Sequence, residues 1–212
     1  VEGNPRYISH FLFATILLFL KKKVILWTMV HSSANNKFRQ FFRLQWSKLF
    51  KYLFVYTDYE KNFLRSNGFH KHIIYPMNNG LDLESIDNVK KKTLRFKRKK
   101  KLVFLSCARL LQKNRFDIAI KAFSELKNKY DFKYILIGDG DQSFFLKSLV
   151  KHYQLENFVI FKGKIYDEKK LATYFLNSDC MIHPASVGLS LIHAFSYGLP
   201  IITHSNRMFH NP

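Results

Sequence analysis

Apolar and polar positions in the first part of the chain change repeatedly between the spacing of strands and the spacing of helices. Short apolar runs predict strands at residues 24–29, 53–57 and 73–75. Amphipathic stretches between these runs predict helices at residues 38–50 and 59–67. Short connections in this order are typical of an α/β fold with a mainly parallel sheet.

The same alternation returns with better definition in the second half of the chain. Apolar runs predict strands at residues 102–106, 134–137, 159–161 and 180–183. Amphipathic stretches predict helices at residues 115–127, 144–153 and 169–177. A succession of βα units of this kind predicts a doubly wound sheet.

Residues 183–204 predict a strand end, a tight loop, a helix over about 189–197 and a further strand at 201–203. Leu189, Ile192 and Phe195 are three residues apart, so we expect them to share the buried side of this helix. Gly188 stands at the helix N-terminus just after a strand, where α/β proteins bind anions. The loop is therefore either a phosphate-binding loop or an ordinary βαβ turn.

Residues 89–101 interrupt the α/β pattern. They contain nine lysines and arginines and no acidic residue, a composition that predicts an extended, solvated linker. We therefore place a domain boundary here, with an incomplete N-terminal domain at 1–88 and a truncated C-terminal domain at 102–212.

Residues 11–20 form the most apolar run of the chain, and Lys21, Lys22 and Lys23 follow it directly. At ten residues the run is too short to span a bilayer. It predicts either a buried helix that ends in a basic turn or a helix that also touches a membrane surface.

The chain of 212 residues has a net charge of +20, which indicates an acidic partner such as nucleic acid, anionic lipid or a phosphorylated substrate. No helix-turn-helix, zinc or RNA-binding signature accompanies the basic residues, so nucleic acid is the less favoured partner. The two cysteines, Cys107 and Cys180, form no disulfide framework, which favours a reducing, cytoplasmic setting. The spacing of histidines and acidic residues predicts no metal site and no resident cofactor.

Glycines and charged residues collect where predicted strands of the second half end. Arg109 follows one strand, the glycines Gly138 and Gly140 follow the next, and Lys164 and Gly188 follow the other two. Because the carboxyl ends of parallel strands form the ligand crevice of an open α/β sheet, these residues are expected to face one ligand. A guanidinium together with a helix N-terminus is well suited to a diphosphate.

This order of motifs resembles the donor-binding domain of family 4 glycosyltransferases, which have the GT-B fold. The resemblance lies in A-R-L at 108–110, F-D through A-F at 116–123, L-I-G-D-G at 136–140, V-I-F-K-G at 159–163, residues 183–204, and N-G-L-D at 79–82. It implies two Rossmann-like domains, with a nucleotide-sugar donor in the C-terminal domain and a glycan or lipid-linked acceptor in the N-terminal one. It also implies retaining sugar transfer that needs no metal.

The resemblance assigns the diphosphate contact to Arg109. The lysine that usually helps it is replaced by Asn114, so a neighbouring cation would supply the charge, and we favour Arg115 over Lys113. Backbone contacts to the phosphate are expected from the loop residues Val187, Gly188, Leu189 and Ser190, and the donor site would also include Gly138, Gly140 and Lys164.

The chain departs from the family at its best-known signature, two glutamates eight positions apart. Ala185 and His193 occupy these positions. His193 could still contact the donor ribose through a ring nitrogen, whereas Ala185 offers no side-chain hydrogen bond to a sugar. The departure indicates either a branch of the family that binds the donor through different residues or a degraded relative of the family, and we favour the branch.

His31 follows the first predicted strand and resembles the family histidine that contacts the transferred sugar; the alternative is a surface loop histidine. His204 and Asn206 follow the last strand and are weaker candidates. We therefore predict a glycosyltransferase of bacterial surface polysaccharide synthesis, on the inner face of the plasma membrane if it binds anionic lipid. The alternatives are an inactive truncated relative and a basic nucleic-acid-binding protein.

Overall fold

A computed structural model describes residues 8–30, 37–78, 80–93 and 101–205. The chain divides into two compact units, residues 1–79 and 80–211. Each unit is built from parallel strands and helices, as the alternating pattern predicts.

The first unit contains a parallel sheet of three strands in the order β1-β2-β3. Its elements are α1 (Ile8–Phe19), β1 (Ile25–Trp27), α2 (Lys37–Ser47), β2 (Tyr52–Val55), α3 (Asp58–Ser66) and β3 (Ile73–Pro76). The alternate residues Leu26, Leu53 and Ile74 of the three strands point into one core, where Ala14 of α1 and Leu64 of α3 cover them. Alternation with a period of two along the strands therefore decides which strand residues face these helices.

Only part of α1 is covered. Ala14 is buried, and the ring of Phe11 stacks on Trp46 with centroids 4.4 Å apart. Phe13, Ile16 and Phe19 are more than half exposed. The helix has 12 residues, and no helix in the part of the chain that the structure describes is long and apolar enough to cross a membrane.

Glu60 is a fully buried carboxylate near the carboxyl ends of β1 and β2. Its two oxygens accept hydrogen bonds from the backbone amides of Val30 and Tyr56, both at 2.8 Å. Arg43 lies close enough for its charge to interact with Glu60, while burial lowers the pKa of Arg43 and its Nη1 donates to the Met29 carbonyl at 2.9 Å. Glu60 thus ties together the segments that leave two neighbouring strands.

Replacing Glu60 by alanine is expected to destabilise the first unit by about 2–3 kcal/mol, because two amides lose their acceptor in a buried place. Urea unfolding followed by tryptophan fluorescence measures this, since both tryptophans, Trp27 and Trp46, belong to this unit. Asn62→Ala, at an exposed position of the same helix, is the matched control and should change stability by less than about 0.5 kcal/mol. Equal effects of the two substitutions would contradict the assigned role of Glu60.

The second unit contains a parallel sheet of five strands in the order β6-β5-β4-β7-β8. Its elements are α4 (Leu83–Lys92), β4 (Leu102–Cys107), a short 3-10 helix (Gln112–Asn114), α5 (Phe116–Leu126), β5 (Phe132–Ile137), α6 (Ser143–His152), β6 (Val159–Gly163), α7 (Glu168–Leu176), β7 (Cys180–His183), α8 (Leu189–Ser196) and β8 (Ile201–Thr203). Helices α5 and α6 cover one face of the sheet, and α4, α7 and α8 cover the other. This confirms the doubly wound α/β fold.

The division between the units, after residue 79, differs from the boundary predicted at 89–101. Asp82 caps α4 by accepting from the Ser85 amide at 3.2 Å, and the helix continues to Lys92. Ile86 is buried in the core of the second unit, and Lys90 Nζ donates to the Ser196 carbonyl at 2.7 Å. The basic run therefore begins inside α4, whose apolar side chains pack on the core of the second unit. Residues 94–100 lie outside the described residues.

The predicted buried side of α8 is wrong. Leu189 and Phe195 are 45% and 57% exposed, whereas Ala194 is buried, as is Tyr197 just after the helix. The ring of Tyr197 stacks on Phe175 of α7 with centroids 5.1 Å apart. Packing against α7 sets the rotation of this helix of eight residues, and a spacing of three did not identify the face in contact.

Candidate active site

The sheet of the second unit has a switch point between β4 and β7. From β4, the strands β5 and β6 extend the sheet on one side, and β7 and β8 extend it on the other. Leu105 pairs with Met181, and one residue further on the Ser106 hydroxyl donates to the Ile182 carbonyl at 2.5 Å and shares a hydrogen bond with the Tyr134 hydroxyl at 2.7 Å. The two strands therefore end together at one edge of the sheet. In open α/β sheets ligands bind outside the carboxyl ends of the strands at such a switch point.

Arg109 lies on the surface two residues beyond the end of β4. No ion pair of its guanidinium with another described residue is found. A hydrogen bond stabilises the turn that carries Arg109. The side-chain nitrogen Nδ2 of buried Asn114 donates to the Arg109 backbone carbonyl at 2.6 Å. Asn114, which stands where the resemblance has a lysine, thus holds the arginine turn and contributes no charge.

Arg115, the favoured replacement for that lysine, is bound to another partner. Its Nε donates to Asp117 Oδ1 at 3.1 Å and its Nη2 to Asp117 Oδ2 at 3.1 Å. This hydrogen bonding raises the pKa of Arg115. Lys113 is exposed. The structure therefore leaves Arg109 as the better placed cation, and a donor contact by Arg115 stays a prediction.

The glycines after β5 are required by the close approach of two turns. A Cβ on Gly138 would lie 1.9 Å from the Ala108 carbonyl oxygen, and one on Gly140 would lie 2.5 Å from the Leu110 carbonyl oxygen. The Leu110 amide also donates to the Asp139 carbonyl at 3.0 Å. Gly138 and Gly140 thus shape the turn that carries Arg109, and direct contacts of these glycines with a donor remain a prediction.

Asp139 serves as a turn residue in this packing. Its Oδ1 accepts from the Ser143 hydroxyl at 2.5 Å and from the Gly140 amide at 2.9 Å, and these bonds lower the pKa of the Asp139 carboxyl. Lys164 Nζ lies 3.7 Å from Asp139 Oδ2. Lys164 follows β6, which is two strands away from β4 in the sheet. Its ammonium group therefore lies beside the Asp139 carboxylate and not at the switch point between β4 and β7.

The loop after β7 leads directly into α8. Ala185 and Val187 are buried, and Ser186 adopts a positive φ of 52°. Gly188 is the N-cap of α8, and its carbonyl accepts from the Leu191 amide at 3.0 Å. The amides of Leu189 and Ser190 belong to the first turn, where N–H groups have no partner within the helix and favour an anion.

His193 lies one turn into α8 and contacts α7. Its Nε2 is 2.8 Å from Glu168 Oε1, and its ring packs on Phe175 with centroids 4.5 Å apart. The Tyr197 hydroxyl donates to the same carboxylate oxygen at 2.5 Å. Glu168 is not among the residues predicted from the sequence, because nothing in the spacing of 25 residues from Glu168 to His193 indicates that the two side chains meet.

Cys107, the last residue of β4, lies near this cluster. Burial and, to a smaller extent, the negative charge of Glu168 raise the pKa of its thiol to about 11. We expect Cys107 to react with iodoacetamide at about pH 8 at least 100-fold more slowly than an exposed cysteine, because almost no thiolate is present. The rate should rise as the pH approaches 11.

Mass spectrometry of a Cys180→Ser variant measures this rate at a single thiol. The same variant unfolded in urea is the control and should react at the ordinary rate. Rapid labelling of the folded variant at pH about 8 would show that the thiol is exposed to solvent.

Three predicted residues remain: His31, His204 and Asn206. His31 and Asn206 lie outside the described residues, and His204 directly follows β8 at the far edge of the sheet. Within the described ranges, no group of three or more His, Cys, Asp or Glu side chains is arranged to hold a metal ion. A cavity of about 510 Å³ lies between the 3-10 helix and the N-terminal turns of α5 and α6; Arg115 is among the residues that line it, whereas Arg109 and Gly188 are not.

The fold is that of a GT-B glycosyltransferase. The family model described as glycosyl transferases group 1 matches residues 87–210, more than half of the chain. The chain therefore belongs to this family, as the resemblance implied.

Curated relatives include the protein CapJ of Staphylococcus aureus, 37% identical over 90 residues that cover 41% of this chain and 23% of CapJ. The N-acetyl-alpha-D-glucosaminyl L-malate synthase of Bacillus anthracis is 33% identical over 86 residues, 39% of this chain and 22% of the synthase. The matched part is thus about a quarter of the length of these relatives.

Solved structures extend the likeness to the fold of most of the chain. Anabaena HepE in complex with UDP matches with a TM-score of 0.66 at 18% identity, over 91% of this chain and 56% of HepE. At this identity the match supports the fold alone.

Proposed function

We propose that this chain carries the nucleotide-sugar site of a retaining glycosyltransferase that transfers a sugar to a glycan or lipid-linked acceptor in bacterial surface polysaccharide synthesis. The observation that carries the proposal is the joint position of Arg109 and the α8 N-terminus, which follow the two strands at the switch point of one parallel sheet. Similar proteins support the choice of ligand: the HepE structure contains UDP, and the malate synthase is named for a product that carries N-acetylglucosamine.

Arg109 and the first amides of α8 would bind the diphosphate of the donor. Negative charge on the diphosphate increases as the bond to the sugar breaks, so a preorganised guanidinium and helix N-terminus stabilise the transition state more than the ground state. His193 would contact the ribose. The sugar passes through an oxocarbenium-like state, and the acceptor hydroxyl attacks the face that the diphosphate leaves. His31 is proposed to contact the transferred sugar.

Thermal unfolding with a panel of donors tests this proposal. UDP-glucose, UDP-N-acetylglucosamine or GDP-mannose at about 100 times its dissociation constant should raise the melting temperature by about 5–10 °C. The free sugars are the control and should leave the melting temperature unchanged. No shift with any nucleotide sugar would overturn the proposal for this chain.

An anionic membrane surface is the proposed second partner. The exposed apolar residues of α1, among them Phe13, Ile16 and Phe19, are followed directly by the exposed lysines 21–23. Apolar side chains beside lysines are suited to an interface with anionic lipid, where each lysine contributes about 1 kcal/mol. Binding there would bring the protein close to a lipid-linked acceptor.

Sedimentation with phosphatidylglycerol vesicles tests this partner. Changing the lysines 21–23 to glutamate should weaken vesicle binding at least about 100-fold, as the loss of three lysine contributions requires. The same change at Lys121, Lys129 and Lys133, which are exposed in the second unit, is the matched control and should weaken binding much less. Equal effects of the two triple variants would show that only net charge matters.

A further inference from the structure

Glu168, His193 and Tyr197 form a hydrogen-bonded cluster in which one carboxylate oxygen serves two partners. Glu168 Oε1 lies 2.8 Å from His193 Nε2 and accepts from the Tyr197 hydroxyl at 2.5 Å. The ring of Phe175 packs on both His193 and Tyr197, with centroids 4.5 and 5.1 Å away. The ring of Tyr197 is also 5.5 Å from the imidazole, which therefore has one polar contact and two aromatic neighbours.

The cluster lies beside the switch point and reaches solvent. His193 is on α8, one turn from the N-cap Gly188, and the charge of Glu168 acts on Cys107 at the end of β4. The side chains of His193 and Glu168 are 16% and 30% exposed. A ligand at the α8 N-terminus can thus approach the imidazole, while Glu168 binds it from the side of α7.

The protonation of the cluster follows from its chemistry. Burial, and then the hydrogen bond to Glu168, raise the pKa of Tyr197 well above its usual value, so this hydroxyl keeps its proton and donates it. An ionised carboxylate only accepts hydrogen bonds, so His193 Nε2 must carry a proton in order to bond to Glu168. In the neutral imidazole this leaves Nδ1 as an acceptor.

We propose that Glu168, itself held by Tyr197, is a positioning residue that fixes the ring orientation and the Nε2-protonated tautomer of His193, so that Nδ1 accepts a hydrogen bond from a ribose hydroxyl of the nucleotide. This inference rests on the proposed function of the site. It assigns to α7 a carboxylate that acts on the nucleotide through the histidine of α8.

Discrimination between UDP and a dideoxy analogue that lacks both ribose hydroxyls tests the proposal by isothermal titration calorimetry. The unchanged protein should bind UDP about tenfold more tightly than the analogue, the value of one hydrogen bond in a partly buried site. Glu168→Ala should bind both nucleotides alike, because the imidazole loses its fixed orientation. Glu168→Gln, whose amide oxygen can accept both bonds, should recover most of the discrimination.

Glu156→Ala removes an exposed carboxylate of the same unit and is the matched control, which should keep the tenfold preference. Nitrogen NMR of the imidazole gives a second readout that needs no ligand. The Nε2-protonated tautomer should dominate in the unchanged protein and in Glu156→Ala, and Glu168→Ala should show a mixture of tautomers. A structural role of Glu168 alone would lower the melting temperature and leave the preference for UDP intact.

The outcomes separate this inference from the proposed function. If the unchanged protein binds UDP and the analogue equally well, the inference is wrong and the diphosphate site stands. A tenfold preference that survives in Glu168→Ala, or an Nδ1-protonated imidazole in the unchanged protein, also overturns it. If neither nucleotide binds, and GDP and its dideoxy analogue do not bind either, the proposed function fails and the inference fails with it.

Discussion

Replacing Arg109 by alanine is expected to raise the dissociation constant for a nucleoside diphosphate about 10- to 100-fold. The guanidinium is exposed at the switch point and has no ion pair with another described residue, so its hydrogen bonds are available to the diphosphate. Charge-assisted bonds of this kind each contribute about 1.5–3 kcal/mol. Calorimetric titration with UDP and GDP measures the change.

The matched control for Arg109 is Lys113→Ala, an exposed cation four residues further along the same segment. It should change the dissociation constant less than about threefold, since attraction to a distant exposed cation is weak and screened. If Lys113→Ala weakens binding as much as Arg109→Ala, general attraction to the basic surface explains the affinity. That result would remove the specific role of Arg109.

Gly138→Ala is expected to destabilise the second unit by about 4 kcal/mol. The added Cβ would stand 1.9 Å from the Ala108 carbonyl oxygen, a backbone atom that cannot move without moving the end of β4. The backbone at Gly138 also has a φ of 138°, which side-chain-bearing residues adopt only with strain. Overpacking and strain each cost about 1–3 kcal/mol.

Hydrogen exchange of the β4 and β5 amides measures this loss within the second unit, which contains no tryptophan. Gly163→Ala is the matched control. Gly163 also has a positive φ, of 69°, but a Cβ there meets no atom within 4 Å. It should therefore cost only about 1–2 kcal/mol, the strain alone. Equal losses at the two glycines would show that the close approach of the turns contributes nothing.

The strands of the second unit could be predicted from the sequence almost to the residue. The runs at 102–106 and 180–183 match β4 (Leu102–Cys107) and β7 (Cys180–His183), because strands covered by helices on both faces are continuous apolar runs. Their order in the sheet could not be predicted from any periodicity, since β4 and β7 are far apart in the chain. The resemblance to a known family implied only Rossmann-like domains with mainly parallel sheets.

Individual helix faces were harder to predict. In α4 the basic residues that follow Val89 obscure a helix whose apolar side chain Ile86 packs in the core. At α8 the buried residues are Ala194, which is small, and Tyr197, which follows the helix, so hydrophobicity alone selected the exposed Leu189 and Phe195. When a short helix carries apolar side chains on all sides, tertiary packing decides which face is buried.

In the candidate site, too, the positions of residues along the chain could be predicted, whereas their side-chain partners could not. The positions of Arg109 and Gly188 at strand ends followed from the sequence, because carboxyl ends of parallel strands meet at one edge. The partners of the side chains did not follow: Asn114 bonds to the Arg109 carbonyl, and Glu168 bonds to His193. Such contacts join residues whose separation has no period, so only the three-dimensional structure identifies them.

Hydrogen exchange with and without a bound nucleotide sugar tests the central claim most directly, that the switch point of the second unit is the donor site. The account predicts that the donor protects amides at 108–110 and 187–193 and, in the first unit, at most the segment that contains His31. Protection confined to the cavity between α5 and α6, or to the first unit, would contradict it.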